Sequence, residues 1–147
     1  MKDNNRKDEH FWVGNMDDGS RNAWRGHAFE LLCRIHLKQI KKALGISGVS
    51  TETSSWRSSY SKPGAQVDLV IRRKDRITNL CEMKCTNKPF VITKEYSDVL
   101  HNKKVAFIKE TGIQYGIHLT MITTYGISRT GYISSINSEV TMDDLFD

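Results

Sequence analysis

One stretch of this chain, IHLTMITTY at residues 117–125, limits the fold more than any other, because it is apolar at almost every step. A strand with one wet face alternates apolar with polar residues. A continuous apolar run reads as a strand buried on both faces, which places it inside a sheet with cover on each side. The rest of the chain has to supply partner strands and covering helices.

Residues 22–44 put Phe29, Leu32, Cys33, His36, Leu37, Ile40 and Leu44 at helical spacing, and Gly45 follows as a left-handed stop. Three strand-like stretches come next. Residues 49–56 are rich in Thr, Ser and Val. Val67, Leu69 and Ile71 alternate with Gln66, Asp68 and Val70 after a turn at Ser61, Lys62, Pro63 and Gly64. Residues 77–85 place Cys81, Met83 and Cys85 on one face and Leu80, Glu82 and Lys84 on the other, after a charged hairpin turn, RRKDR, at residues 72–76. Thr93 is placed to cap a second helix with a stripe of Tyr96, Val99, Leu100, Lys103 and Phe107, ending at Gly112. Beyond the apolar run lie a break at Gly126, a turn at residues 129–131, a short strand around Tyr132, and a last turn capped by Thr141 with Asp143 and Asp144. The order α-β-β-β-α-β with a C-terminal tail predicts an α/β fold, a mixed central sheet flanked by helices.

At 147 residues the chain suits one domain. Residues 1–21 are polar and aperiodic apart from Phe11, Trp12 and Val13, so a flexible arm is expected there and the domain at 22–147. No apolar run reaches the about 18 residues of a membrane span, and MKDNNRKDEH is too polar for a signal peptide. A soluble cytoplasmic protein, with no membrane partner, is the expectation. A formal charge of +5 suits a polyanionic partner without proving one. Cys33, Cys81 and Cys85 form no C-x-x-C pair, which argues for free thiols rather than a disulfide framework or a zinc knuckle. The five histidines show no H-x-x-x-H spacing, and none is assigned to a metal.

Asp68 and Glu82 stand out because each interrupts an aliphatic strand, where an unpaired carboxylate is costly to bury. Glu82 and Lys84, two apart, share a face, and the hairpin can bring Asp68 alongside them. Two carboxylates edged by a lysine suit a hard divalent cation such as Mg²⁺ or Mn²⁺, and such an ion can activate water against a phosphodiester. Glu30, one position beside the first helix's apolar stripe, is placed to lean over the sheet edge as a third carboxylate. A chain with seven glutamates and thirteen lysines meets E-x-K by chance about as often as not, so only the seating of the tripeptide informs. A structural ion pair of Lys84 with Asp68 or Glu82 accounts for the same residues.

The run GAQVDLVIRRKDRITNLCEMK at residues 64–84 resembles motifs II and III of the PD-(D/E)XK nuclease superfamily, the restriction-endonuclease-like fold, with Asp68 as the motif acid and Glu82-Met83-Lys84 as (D/E)-x-K. NAWRGHAFE, KPFVITKEY, LTMITTYG and TMDDLF are similar to the C-terminal domain of a family of bacterial and archaeal AAA-type ATPases. The resemblance implies that Glu30, Asp68 and Glu82 are metal ligands, that the Met83 carbonyl adds another, and that Lys84 is catalytic. Val67 stands where the superfamily's nominal proline precedes the acid. No G-x-x-x-x-G-K-[ST] occurs, since the glycines at 14 and 19 are followed by Ser20 and Arg21. The chain therefore looks like an excised or free-standing C-terminal module, whose ATPase would be a partner.

Weaker candidates for nucleic-acid contact are Gln66, on the face of Asp68; Lys94 and Tyr96, at the start of the second helix; and Arg72 and Arg73 in the hairpin. For each, an ordinary strand-edge, core or solvated role competes. Trp24 and Trp56 read as packing residues. Three functions remain. The first is a metal-dependent nuclease acting on nucleic acid, DNA before RNA. The second is a non-catalytic module of the same fold that binds nucleic acid or regulates an ATPase. The third is an interaction domain in which the carboxylates form a structural ion pair. A homodimer is compatible with any of them.

Overall fold

A computed structural model describes residues 18–59, 65–113 and 115–147. The expected anchors Phe11, Trp12 and Val13 lie outside the described residues, as do Ser61, Lys62, Pro63 and Gly64 of the expected turn. The elements run α1 (Asp18–Ile35), α2 (Leu37–Ala43), β1 (Thr51–Arg57), β2 (Gln66–Arg73), β3 (Thr78–Lys84), α3 (Lys94–Thr111), β4 (Ile117–Thr123), β5 (Ser138–Thr141) and a terminal 3₁₀ helix (Met142–Phe146). They form a five-stranded mixed sheet in the order β1-β2-β3-β4-β5, antiparallel across β1, β2 and β3 and parallel from β3 to β5. The α/β expectation holds.

The apolar run becomes β4, paired on both sides, with Leu119, Met121 and Ile122 all buried. Its two faces serve two cores. Ile122 joins Leu69, Ile71, Cys81, Met83 and Val140 under Phe29, Cys33 and Ile40 of the N-terminal helices and Leu145 of the 3₁₀ helix. Leu119 and Met121 join Val67, Val70 and Leu80 under Leu100 and Phe107 of α3. Phe107 is wholly buried, with Trp56 edge-on at 5.3 Å between ring centroids. Burying one such side chain contributes about 1.5–3 kcal/mol, so a few of them anchor α3 across the sheet. Trp24, in contrast, is half exposed and packs less than its composition suggests.

α3 begins and ends where its sequence signals place it. Thr93 Oγ1 accepts the Tyr96 amide at 3.1 Å, and Gly112 adopts φ +73°, a left-handed value that suits glycine. The first helix differs. It starts at Asp18, inside the expected arm, and breaks at His36, where the ring Nδ1 lies 2.8 Å from the Leu32 carbonyl and competes for that acceptor with the helical ladder. The expected strand at Tyr132 is also absent. Tyr132 instead donates its amide to the Ile92 carbonyl beside Gly131, where a Cβ would meet that oxygen at 2.7 Å, and the edge strand forms later as β5. Asp144 Oδ2 accepts the Thr141 amide at 2.9 Å and closes the predicted last turn.

Strict alternation along β2 fails at one point, and that point shapes the site. Ser54 pairs with Val70 and Trp56 with Val67, so two steps on β1 match three on β2. The extra residue is a bulge in β2 around Asp68 and Leu69, which puts Val67 and Val70 into one core although their parity differs.

Candidate carboxylate site at the opening of two strands

β2 and β3 pair from Arg72 with Thr78 as far as Leu69 with Cys81, and the ladder stops there. The next residues outward are Asp68 and Glu82. With its strand partner lost, the Met83 amide donates instead to Asp68 Oδ2 at 3.0 Å. Across the bulge, Arg34 of α1 donates to the Asp68 carbonyl at 3.2 Å, tying the helix to this point of the strand. The Asp68 carboxylate is thus fixed by a neighbouring backbone group, as a bulge beside a strand opening allows.

Glu82 is buried, and its carboxyl lies within hydrogen-bonding reach of Asp68. Burial first, and then the neighbouring Asp68 carboxylate, push its pKa from 4.5 up to about 7. Lys103 of α3 works in the other direction through an ion pair with Glu82 Oε1, without offsetting those effects. Tyr96, from the first turn of α3, completes the wall. Its hydroxyl is buried without a hydrogen-bond partner, and burial followed by the charges of Glu82 and Asp68 raises its pKa. The Lys84 ammonium lies over the Tyr96 ring, 5.1 Å from its centroid.

The structure therefore brings together Asp68, Glu82, Lys84 and Tyr96, and adds Lys103. Sequence reasoning placed Lys103 only in an apolar stripe, where a lysine among Tyr96, Leu100 and Phe107 was itself the signal. Met83 enters through its amide. Glu30 is half-buried on α1, and its charge bears on the Cys33 thiol, whose pKa is pushed up chiefly by burial to about 12. Among the described residues no three His, Cys, Asp or Glu side chains gather as a metal-binding group, and Glu30 and Asp68 both act on the Cys33 thiol. The three cysteines are free, with Cys33 and Cys81 buried.

Most of the remaining candidates are exposed. Gln66 is exposed and accepts from Arg57 at 3.1 Å. Lys94 is exposed at the start of α3, and Arg72 is exposed near the hairpin. Arg73 is held by Asp75 through two hydrogen bonds, at 3.0 and 2.6 Å, and donates to Asn79 at 3.2 Å. Arg76 turns onto the Tyr115 ring, 5.4 Å from its centroid.

The donor set suits a hard, hydrated dication. Two carboxylates face each other in a setting that disfavours two negative charges, and an unpartnered hydroxyl stands beside them. Mg²⁺ is commonly held by one or two carboxylates while keeping several waters, so a third carboxylate is not required.

No protein-family model matches the sequence, and no curated protein does. The chain is similar to a crystal structure of a protein of unknown function, AF1548, at 13% identity and a TM-score of 0.51. That likeness covers 78% of this chain and 64% of the other, so the chain spans less than two thirds of that protein, and the likeness concerns the fold alone. No helix among the described residues is long and apolar enough to cross a membrane.

Proposed function

We propose that this chain is a divalent-metal-dependent nuclease domain of the PD-(D/E)XK type, hydrolysing phosphodiester bonds of nucleic acid, DNA in the first instance. The observation that carries this reading is the meeting of Asp68 and Glu82 where β2 and β3 part, with the Glu82 pKa raised to about 7 by burial and by Asp68. Retaining two like charges at one buried point costs stability, and sites that bind cations are a common reason to retain them.

Asp68 and Glu82 would hold the ion through their carboxylates. When bound there, Mg²⁺ or Mn²⁺ supplies Lewis acidity to a phosphoryl oxygen and lowers the pKa of a water. Lys84, steadied on the Tyr96 face, presents its ammonium to the charge that develops on the phosphate. The Tyr96 hydroxyl, unpartnered in the protein, would donate to an oxygen entering between the carboxylates. The net charge of +5 favours a polyanionic substrate. An ATPase module is the proposed partner, on the resemblance of the sequence blocks.

A second reading, a non-catalytic nucleic-acid-binding or ATPase-regulating module of the same fold, is favoured by one observation. Lys103 already pairs with Glu82, as in a structural ion pair. The two readings separate on cleavage of supercoiled, linear and single-stranded DNA and of RNA with Mg²⁺ or Mn²⁺. The nuclease reading expects cleavage that Asp68→Ala and Glu82→Ala each reduce by about 10³-fold or more, while Lys84→Ala loses rate and keeps binding. Binding without cleavage of any substrate would leave the second reading standing.

A further inference from the structure

Lys103 pairs with Glu82 from α3, and the lysine of the E-x-K tripeptide has separate surroundings. Lys84 rests on an aromatic face. Lys103 pairs directly with Glu82 Oε1, and its side chain is 22% exposed against 5% for Glu82. Glu82 cannot retreat, because it stands in β3 between the β2 opening and Met121 of β4. Lys103 can, because its flexible four-carbon stem ends near solvent and its ammonium hydrates readily.

We propose that Lys103 is the resident cation of the carboxylate site, and that binding of a divalent ion is an exchange in which the Lys103 ammonium leaves Glu82. This inference rests on the metal-binding reading given above. Without an ion, two ionised carboxylates and the one ammonium paired with them, that of Lys103, sum to a single negative charge, while the Lys84 ammonium is held on the Tyr96 ring. A dication between the same carboxylates neutralises them, and an ammonium that stayed on Glu82 would leave an excess positive charge a few ångströms from the ion, in a buried setting where such repulsion is weakly screened. The ion pair thus keeps the free site from holding two uncompensated anions, and it sets a threshold that a divalent ion must overcome. Lys103 is a positioning residue in this account. It regulates occupancy and touches neither substrate nor reacting atoms.

The test measures ion binding without substrate. The full chain, Lys103→Met, Lys103→Gln and Asp68→Asn are titrated with Mn²⁺ at pH 8, with free ion read from its paramagnetic resonance signal and folding checked by circular dichroism. The expected result is about tenfold tighter Mn²⁺ binding in both Lys103 variants, since a competitor has been removed, and lost binding in Asp68→Asn. In the unmodified chain, diamagnetic Mg²⁺ should shift the Lys103 side-chain NMR resonances toward those of a solvated lysine. Unchanged or weaker Mn²⁺ binding in the Lys103 variants, with the unmodified chain binding normally, overturns the exchange and leaves the metal reading intact. If neither the unmodified chain nor the Lys103 variants bind Mn²⁺, the metal reading fails and the exchange fails with it. Lys103→Gln keeps the test decisive should Lys103→Met not fold.

Discussion

The two ends of the β2–β3 pair handle charge in opposite ways. At the hairpin end, Arg73 is gripped by Asp75 and donates to Asn79, Asn79 donates to Thr120 at 3.0 Å, and Thr120 meets Ser138 at 2.8 Å. This polar row crosses from β2 to β5 with each of its groups partnered, and unlike charges adjoin; Thr51 Oγ1, on β1 opposite Arg73, stays outside the row, buried without a partner. At the open end, the like charges of Asp68 and Glu82 adjoin, and the Tyr96 hydroxyl beside them has no partner. A satisfied network fixes a structure, whereas an unsatisfied one holds its groups for something else. Of the two hairpin arginines attractive in the sequence as a grip on phosphate, Arg73 is engaged by the protein itself and Arg72 is exposed.

Three substitutions put this contrast to the test, and the largest effect is expected at Glu82. Its carboxyl has a higher pKa in the folded chain, about 7, than the ordinary 4.5, so the folded state keeps a proton that the unfolded state has already lost between those values. Stability from this group is full below pH 4.5 and falls as pH rises to about 7. Glu82→Gln should therefore stabilise the metal-free protein by about 1–3 kcal/mol at pH 8, with the gain vanishing near pH 4, as read from urea denaturation across pH. A destabilised variant at pH 8 would mean that the Lys103 pair outweighs the burial and repulsion, and the contrast would break.

Tyr96→Phe removes a buried hydroxyl that has no partner and keeps the ring under Lys84. A gain of about 0.5–1 kcal/mol in unfolding free energy is expected, and a loss would show that the hydroxyl is satisfied in solution. The smallest effect is expected from Asp75→Asn in the exposed turn. Arg73, chiefly through their hydrogen bonds, lowers the Asp75 pKa, so the variant should be slightly less stable than the parent at neutral pH. That difference should disappear as pH falls through the carboxylate range, in the reverse direction to Glu82. A larger loss than the change at Tyr96 would indicate that the hairpin row depends on its outermost charge.

Much of this was legible in the chain because it rests on neighbours in sequence. The double-sided burial of β4 follows from its unbroken apolar run, and α3 from a threonine cap and a glycine stop. Asp68 and Glu82 were conspicuous because a carboxylate within an aliphatic strand requires an explanation. Lys103 was visible as a lysine within an apolar stripe, yet nothing local indicated its partner, which lies 21 residues away.

The amino-acid sequence by itself determined the element types and the residues that carry charge into the sheet, since side-chain period and capping are set within a few residues. Only the tertiary structure decided the bulge in β2, the break at His36, and the replacement of a strand at Tyr132 by one at Ser138–Thr141. The bulge depends on how β1 registers against β2, and the edge strand on what β4 leaves open. The Lys103 ion pair depends on where the crossover helix lays its stripe. Each is settled by contacts between segments far apart in the chain, whose free energies become available only once the sheet has formed.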